Sequence, residues 1–144
     1  MKVTIQQITE QEQEQAVIQI HRMTDDIQKA VTLLDTGEQV LTGIRDGAKV
    51  LCPVSKIYYI ESVDDKCFLY TKDDCLETRC RLYELDSLLD NRFFRCSKSM
   101  ICNVRKIRQI KAHENARLEA TMLNGETVII TRSYVPDFKK RLGL

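Results

Sequence analysis

Along most of this chain short apolar runs alternate with turn signals about every eight to twelve residues, the rhythm of antiparallel strands. Val40–Ile44 and Ala48–Leu51 are two β-prone arms across Asp46-Gly47, a strong hairpin signal. Lys56–Val63 is the most β-prone piece of the chain. Asp64-Asp65 turns it into Cys67–Thr71, and Asp73-Asp74 turns that into Leu76–Arg79. Leu82, Leu85, Leu88 and Leu89 line one face of a short helix that Asn91 can end. The aromatic pair Phe93-Phe94 then opens a polar, basic stretch, Arg95–Ser99, which closes on the apolar Met100–Cys102 and Asn103. Two hydrophobic anchors therefore flank a small cationic loop that carries hydroxyls, a thiol and a Lys. Ile107 and Ile110 are interleaved with Arg108 and Lys111, and Arg117–Leu123 returns through Asn124-Gly125 into Thr127–Thr131. Ser133 is placed to cap a last helix with Val135, Phe138 and Leu142 facing inward and Lys139, Lys140 and Arg141 facing water. The pattern predicts a mostly β domain, α+β overall, with two short helices over residues 39–144.

Residues 1–38 read differently. Lys2–Ile8 and Ala16–Ile20 have the β-branched content of strands, and the Glu/Gln run 10–15 between them offers nothing to bury. Thr24 caps a helix with Asp25 and Asp26 in its first turn, where carboxylates suit the dipole. Ile27, Ala30, Val31 and Leu34 recur at helical spacing, and Gly37 ends the helix. This strand–strand–helix extension is too small to fold unaided, so it must pack on the remainder or on a partner chain.

Composition narrows the class. The 144 residues suffice for one ordinary core, and 43% apolar with 30% charged residues reads as soluble and globular. No apolar run is long enough to span a membrane, and Met1–Thr4 continues into Gln and Glu rather than a signal sequence. Six cysteines (Cys52, Cys67, Cys75, Cys80, Cys96, Cys102) form no C-x-x-C pair, and only His21 and His113 could assist them. Reduced, partly buried thiols in a cytoplasmic protein are the simplest reading, with no metal and no cofactor. The net charge of +1 hides an uneven spread. Residues 1–40 carry three Lys/Arg against seven Asp/Glu, residues 41–92 eight against ten, and residues 93–144 eleven against four. The last third is built to face a polyanion, and the first is not.

The order of the pieces resembles the LytTR DNA-binding domain of bacterial transcriptional regulators. The likeness rests on Ile57–Ser62 before a turn, the Leu-rich helix 82–89, Phe93–Ser99, Ile101–Asn103, the Asn124-Gly125 hairpin and Thr131–Tyr134. It covers roughly residues 40–144. It implies an elongated antiparallel β fold that puts loops, not a helix, into successive major grooves of double-stranded DNA. Carried over position by position, the DNA-contacting residues are Lys66 and Cys67 in the turn after the Tyr-Tyr-Ile-Glu strand, Ser97 and Lys98 in the central loop, and Arg132 before the last helix. The family often has His or Tyr at the position of Cys67 and commonly His at that of Ser97. A thiol cannot reproduce those donors, so Lys66 is the stronger candidate of the first pair. Arg132 suits a bidentate contact to guanine O6 and N7. Asn103, a short amide after an apolar strand, reads as structural. The acidic extension, residues 1–38, is expected to cover the β domain or to form a homodimer contact away from the DNA. For stand-alone members the resemblance implies a small membrane protein as regulatory partner. Forty N-terminal residues cannot hold a receiver domain, so phosphorylation of one within these residues is not expected.

Two other classes compete. An enzyme using Cys96 or Cys102 as nucleophile would need a base, yet only two His are present, and none of the five glycines builds a phosphate loop. A β-rich protein-interaction or RNA-binding module would share the basic last third. RNA binding, however, favours exposed aromatics among the cations, and Phe93, Phe94 and Phe138 sit in apolar contexts. The sequence therefore favours a non-enzymatic, sequence-specific DNA-binding regulator.

Overall fold

A computed structural model describes all residues, 1–144. Helix α1 (Asp25–Thr36) forms as its caps dictate. The Thr24 hydroxyl accepts from the Ile27 N–H at 3.3 Å, and Gly37, at φ 71°, donates its N–H back to Leu33 O. Ten strands follow: β1 (Val40–Arg45), β2 (Ala48–Pro53), β3 (Tyr59–Val63), β4 (Lys66–Tyr70) and β5 (Cys75–Thr78), then β6 (Phe93–Ser97), β7 (Met100–Asn103), β8 (Ile107–His113), β9 (Arg117–Met122) and β10 (Thr127–Ile130). Helix α2 (Leu82–Leu88) separates β5 from β6, and α3 (Val135–Leu142) closes the chain. All strand pairs are antiparallel. Seven strands form one sheet in the order β2-β1-β5-β4-β3-β7-β6, and three form a second in the order β10-β9-β8.

The hairpin turns carry the residues that their backbones require. Asp46 and Gly47 both have positive φ, as do Asp64 and Asp65, which matches the right-handed twist of the flanking strands. The β9–β10 hairpin forms around Asn124-Gly125 as expected, but with a four-residue connection, since Met122 N–H donates to Glu126 O at 2.7 Å. Gly43 serves packing rather than a turn. A Cβ there would lie 2.6 Å from the Leu76 Cβ, so only glycine lets β1 approach β5 this closely.

Two cores lie on opposite faces of the large sheet. The first gathers Leu41, Ile57, Ile60, Leu69, Leu76, Phe93 and Ile101 under Leu82 and Leu85 of α2. The second gathers Phe94, Cys96 and Cys102 against Leu118, Ala120, Met122, Val128 and Ile130 of the small sheet, with Phe138 of α3. Phe138 is fully buried, edge-on to Phe94 at 5.3 Å, and burial of such a ring contributes about 2–3 kcal/mol.

Three expectations change. The strands foreseen at Lys2–Ile8 and Ala16–Ile20 do not form: residues 1–23 hold only a turn near Thr9–Glu12, because no strand of the chain lies alongside them to pair with. Ser133 is not the cap of α3. It lies in a single 3-10 turn, Arg132–Tyr134, that runs straight into the helix, with Pro136 in the first helical turn. Arg141 does not simply face water. Its guanidinium donates to Phe93 O at 2.9 Å and Asn91 O at 3.3 Å and sits 5.0 Å from the Phe94 ring.

Asn103 fills the structural role expected of it. It is 1% exposed, its amide donates to Ile57 O at 2.9 Å, and its carbonyl accepts from Arg105 N–H at 3.0 Å. Asn103→Ala leaves an acceptor and a donor without partners in the interior, and should cost about 2–3 kcal/mol. Urea unfolding checks this as a lowered midpoint with an unchanged slope; an unchanged midpoint would refute it.

Candidate nucleic-acid interface

Three connections distant in sequence reach the same end of the molecule. Lys66 opens β4 beside the Asp64-Asp65 turn and is exposed. Lys98 and Ser99 form the two-residue turn between β6 and β7, with Lys98 exposed and Ser97 half-buried. Arg132 follows β10 and is exposed. Hydrogen bonds tie the three together. Ser62, which faces Cys67 across the β3–β4 hairpin, donates its N–H to Ser99 O at 2.8 Å. Thr131 donates both its N–H, at 2.9 Å, and its hydroxyl, at 3.3 Å, to Cys96 O. The residue before Arg132 is thus fastened to the residue before Ser97.

The β6–β7 turn needs such support. Neither Lys98 nor Ser99 has positive φ, so the turn lacks the twist of the favoured two-residue hairpins. A bulge places one extra residue on β6 between Arg95 and Ser97 and re-aims the tip. Arg95 then holds the tip from within. Its Nε donates to Ser97 O at 2.7 Å, its Nη2 to Lys98 O, and its Nη1 lies 3.8 Å from the Asp86 carboxylate of α2. Ser99 N–H donates to the Ser97 hydroxyl at 3.2 Å. With both carbonyls occupied by Arg95, the polar groups at the surface of the tip are the Lys98 side chain and the Ser97 and Ser99 hydroxyls, which lie 3.5 Å apart.

Cys67 does not join them. It is 3% exposed and packs in the first core, because strand alternation turns it inward once Lys66 faces out. Burial also raises its pKa, so the buried thiol stays neutral. It belongs to the core, and Lys66 alone represents that turn. The thiol of the central stretch also leaves the loop: Cys96 is fully buried and reaches Met100 O at 3.4 Å. Cys102 beside it is fully buried, and a hydrogen bond with Cys96 together with desolvation pushes its pKa well above the ordinary thiol value. Neither sulfur meets a substrate unless the core opens.

Two cations at this end escape a reading by motif. Thr78 faces Cys67, so Arg79 continues alongside Lys66, exposed. Arg81 donates to Asp65 O at 3.4 Å. Arg95 stood in the central stretch, yet nothing in its spacing revealed that it would clamp the turn rather than face a ligand. The opposite end is closed by different chemistry. Tyr59 stacks on Tyr70 at 4.5 Å and donates to the Glu126 carboxylate at 2.6 Å, where burial and then that carboxylate hold the phenol protonated.

The LytTr DNA-binding domain family model matches residues 47–143. The match opens at the β1–β2 turn, so β1, α1 and all that precedes them lie outside it. Transcriptional regulatory protein YpdB of Escherichia coli (strain K12) is 31% identical over 104 residues, covering 70% of this chain and 42% of that protein. This chain therefore spans less than half the length of that relative. An HTH-type transcriptional regulator of Staphylococcus aureus (strain NCTC 8325 / PS 47) is 24% identical over 134 residues, 90% of this chain and 91% of that one. The helix-turn-helix in that relative's name has no counterpart here, where strands separate all three helices. Among solved structures, the LytTr DNA-binding domain of a Bacillus cereus response regulator aligns with a TM-score of 0.70 and 31% identity, over 73% of this chain and 97% of that domain. The two-sheet fold, the match across most of its strands and this structural likeness agree: the chain belongs to the LytTR family of DNA-binding domains.

Proposed function

We propose that this chain is a sequence-specific regulator of transcription that binds double-stranded DNA and reads successive major grooves with its connections. The observation that carries this reading is the convergence of Lys66, Ser97, Lys98 and Arg132 on one end, from three connections held together by main-chain hydrogen bonds. Loops projected from a rigid sheet can enter a groove about 12 Å wide, as a helix does in other folds. In this reading Arg132 makes the base contact, a bidentate pair to guanine, while Lys66, Arg79 and Arg81 neutralise phosphates. Lys98 reads a base edge from the tip that Arg95 holds. The RNA-module alternative finds no stacking surface in Phe93, Phe94 or Phe138, which are all buried. A gel shift of labelled duplex, challenged with cold duplex or single strand, tests the choice; equal competition by the single strand would overturn it.

Affinity for duplex should fall linearly with salt on log–log axes, by about a hundredfold or more between 50 and 200 mM, as neutralised phosphates release counterions. A flat response measured by fluorescence anisotropy would sink the DNA reading.

Base reading and backbone positioning should separate by mutation. Arg132→Ala should lose roughly 1–3 kcal/mol of discrimination at one or two operator positions, whereas Lys139→Ala, on the exposed side of α3, should lower affinity evenly and reduce the salt slope by at most about one. Binding profiles over a randomised operator distinguish the two. A uniform loss for Arg132→Ala would reduce Arg132 to a backbone grip.

In the same assay, Arg95→Gln should relax preference at the positions affected by Lys98→Ala, because the first change frees the tip and the second removes the side chain that the tip presents. Effects at unrelated positions would detach Arg95 from the reading of the tip.

A further inference from the structure

The segment ahead of the β domain is unpartnered in three respects at once. Lys2–Ile8 and Ala16–Ile20 have strand composition, yet between residues 1 and 23 the main chain makes a single backbone hydrogen bond, Glu12 N–H to Thr9 O. Val3, Ile5 and Val17 are 76%, 90% and 76% exposed. Helix α1 buries none of its residues fully and leaves Leu33 and Leu34 largely in water, although its apolar positions fall on one stripe. The helix rests on β1 with Ile27 and Val31 half-buried. Its polar tethers are slight: an exposed Asp25–Lys49 pair at 2.8 Å and a Glu38 carboxylate, just beyond the helix, accepting from Ser55 N–H at 3.1 Å. Exposed pairs of this kind stabilise little.

The total surface gives the scale of what is missing. The chain exposes 10379 Å² at 16.7 kDa. A compact monomer of that mass exposes roughly 7,600 Å², which leaves an excess of roughly 2,800 Å². Each partner of a large obligate dimer buries on the order of 1,000–2,500 Å². An excess of roughly 2,800 Å² is large enough to include such an interface.

We propose that residues 2–23 and the apolar stripe of α1 form a homodimer interface with the same elements of a second copy. A second copy supplies what the single chain lacks. An extended segment needs a neighbouring main chain, and a two-fold axis sets identical segments antiparallel, so each satisfies the other with one operation. The same axis lays one α1 stripe on the other and covers Leu33 and Leu34. This region carries the acidic residues Glu10, Glu12, Glu14, Asp25 and Asp26, so it is a poor DNA surface, and pairing there leaves the basic end of each protomer free.

Sedimentation equilibrium of the full chain without DNA, from about 1 to 100 μM, tests the proposal apart from the DNA reading. The expected species is a dimer of the 16.7 kDa chain. The paired change Ile5→Asp with Val17→Asp, and separately Leu34→Asp, should each weaken dimerisation at least tenfold. Circular dichroism and melting of the β domain should not change, since all three side chains lie largely in water in the single chain. Hydrogen exchange supplies the second measurement. Amides of residues 2–8 and 16–20 should gain protection as protein concentration rises. A monomer at 100 μM, a dimer undiminished by both variants, or protection independent of concentration (the extension folding on its own β domain) would each overturn the proposal.

Discussion

The period-two alternation of the β6–β7 hairpin is the constraint on which the rest of the structure depends. Phe93 and Ile101 enter one core, while Phe94, Cys96 and Cys102 enter the other. One hairpin therefore joins α2 and the large sheet on one side to the small sheet and α3 on the other. A shift of register by one residue would exchange the two sets and leave each core with side chains of the wrong size and shape. Asn103 locks that register at the base of the hairpin through its bonds to Ile57 O and Arg105 N–H. The tip, Ser97–Ser99, is carried on a doubly anchored lever, which is what a loop needs if it is to meet a rigid surface reproducibly.

Cationic side chains are divided between structure and surface. Arg141 is committed to two carbonyls and the Phe94 ring, Lys106 lies 5.3 Å from the Tyr58 ring, and Arg95 is spent on the hairpin tip. Lys111 and His113 share the Glu119 carboxylate at 3.6 Å each. The eleven Lys and Arg of the last third thus overstate the charge available to a polyanion. What remains exposed at the end shared by the three connections includes Lys98 and Arg132, joined there by Lys66 and Arg79 from earlier in the chain.

The chain has two regions of different physical character. Residues 39–144 hold both cores and every strand, and each strand pairs with a neighbour within the chain. Residues 1–38 contribute one well-capped helix and a long stretch whose main-chain groups and apolar side chains lack partners. Charge follows the same division, acidic in the first region and basic in the last third. Contact with a like surface in one place and with a polyanion in another is consistent with that separation.

Local rules fixed much of this molecule before any packing was considered. The Asp46-Gly47 and Asp64-Asp65 turns, the caps of α1 and the inward positions of Leu82, Leu85 and Phe138 all follow from residue types, because turn geometry, capping and strand or helix period act over a few residues. Leu88, expected on the same face of α2, nevertheless stays exposed. The family resemblance singled out Lys66, Ser97, Lys98 and Arg132, and the fold brings their three connections to one end. Tertiary structure decided the rest. Whether Cys67 faces a ligand or the core depends on which face of β4 the sheet buries, and the residue alone does not say. Arg95 became a clamp because a bulge and two carbonyls came within its reach, a three-dimensional coincidence that spacing does not encode. Lys2–Ile8 and Ala16–Ile20 kept their strand composition and formed no strand, because a strand requires a second main chain beside it, and within this chain none is there.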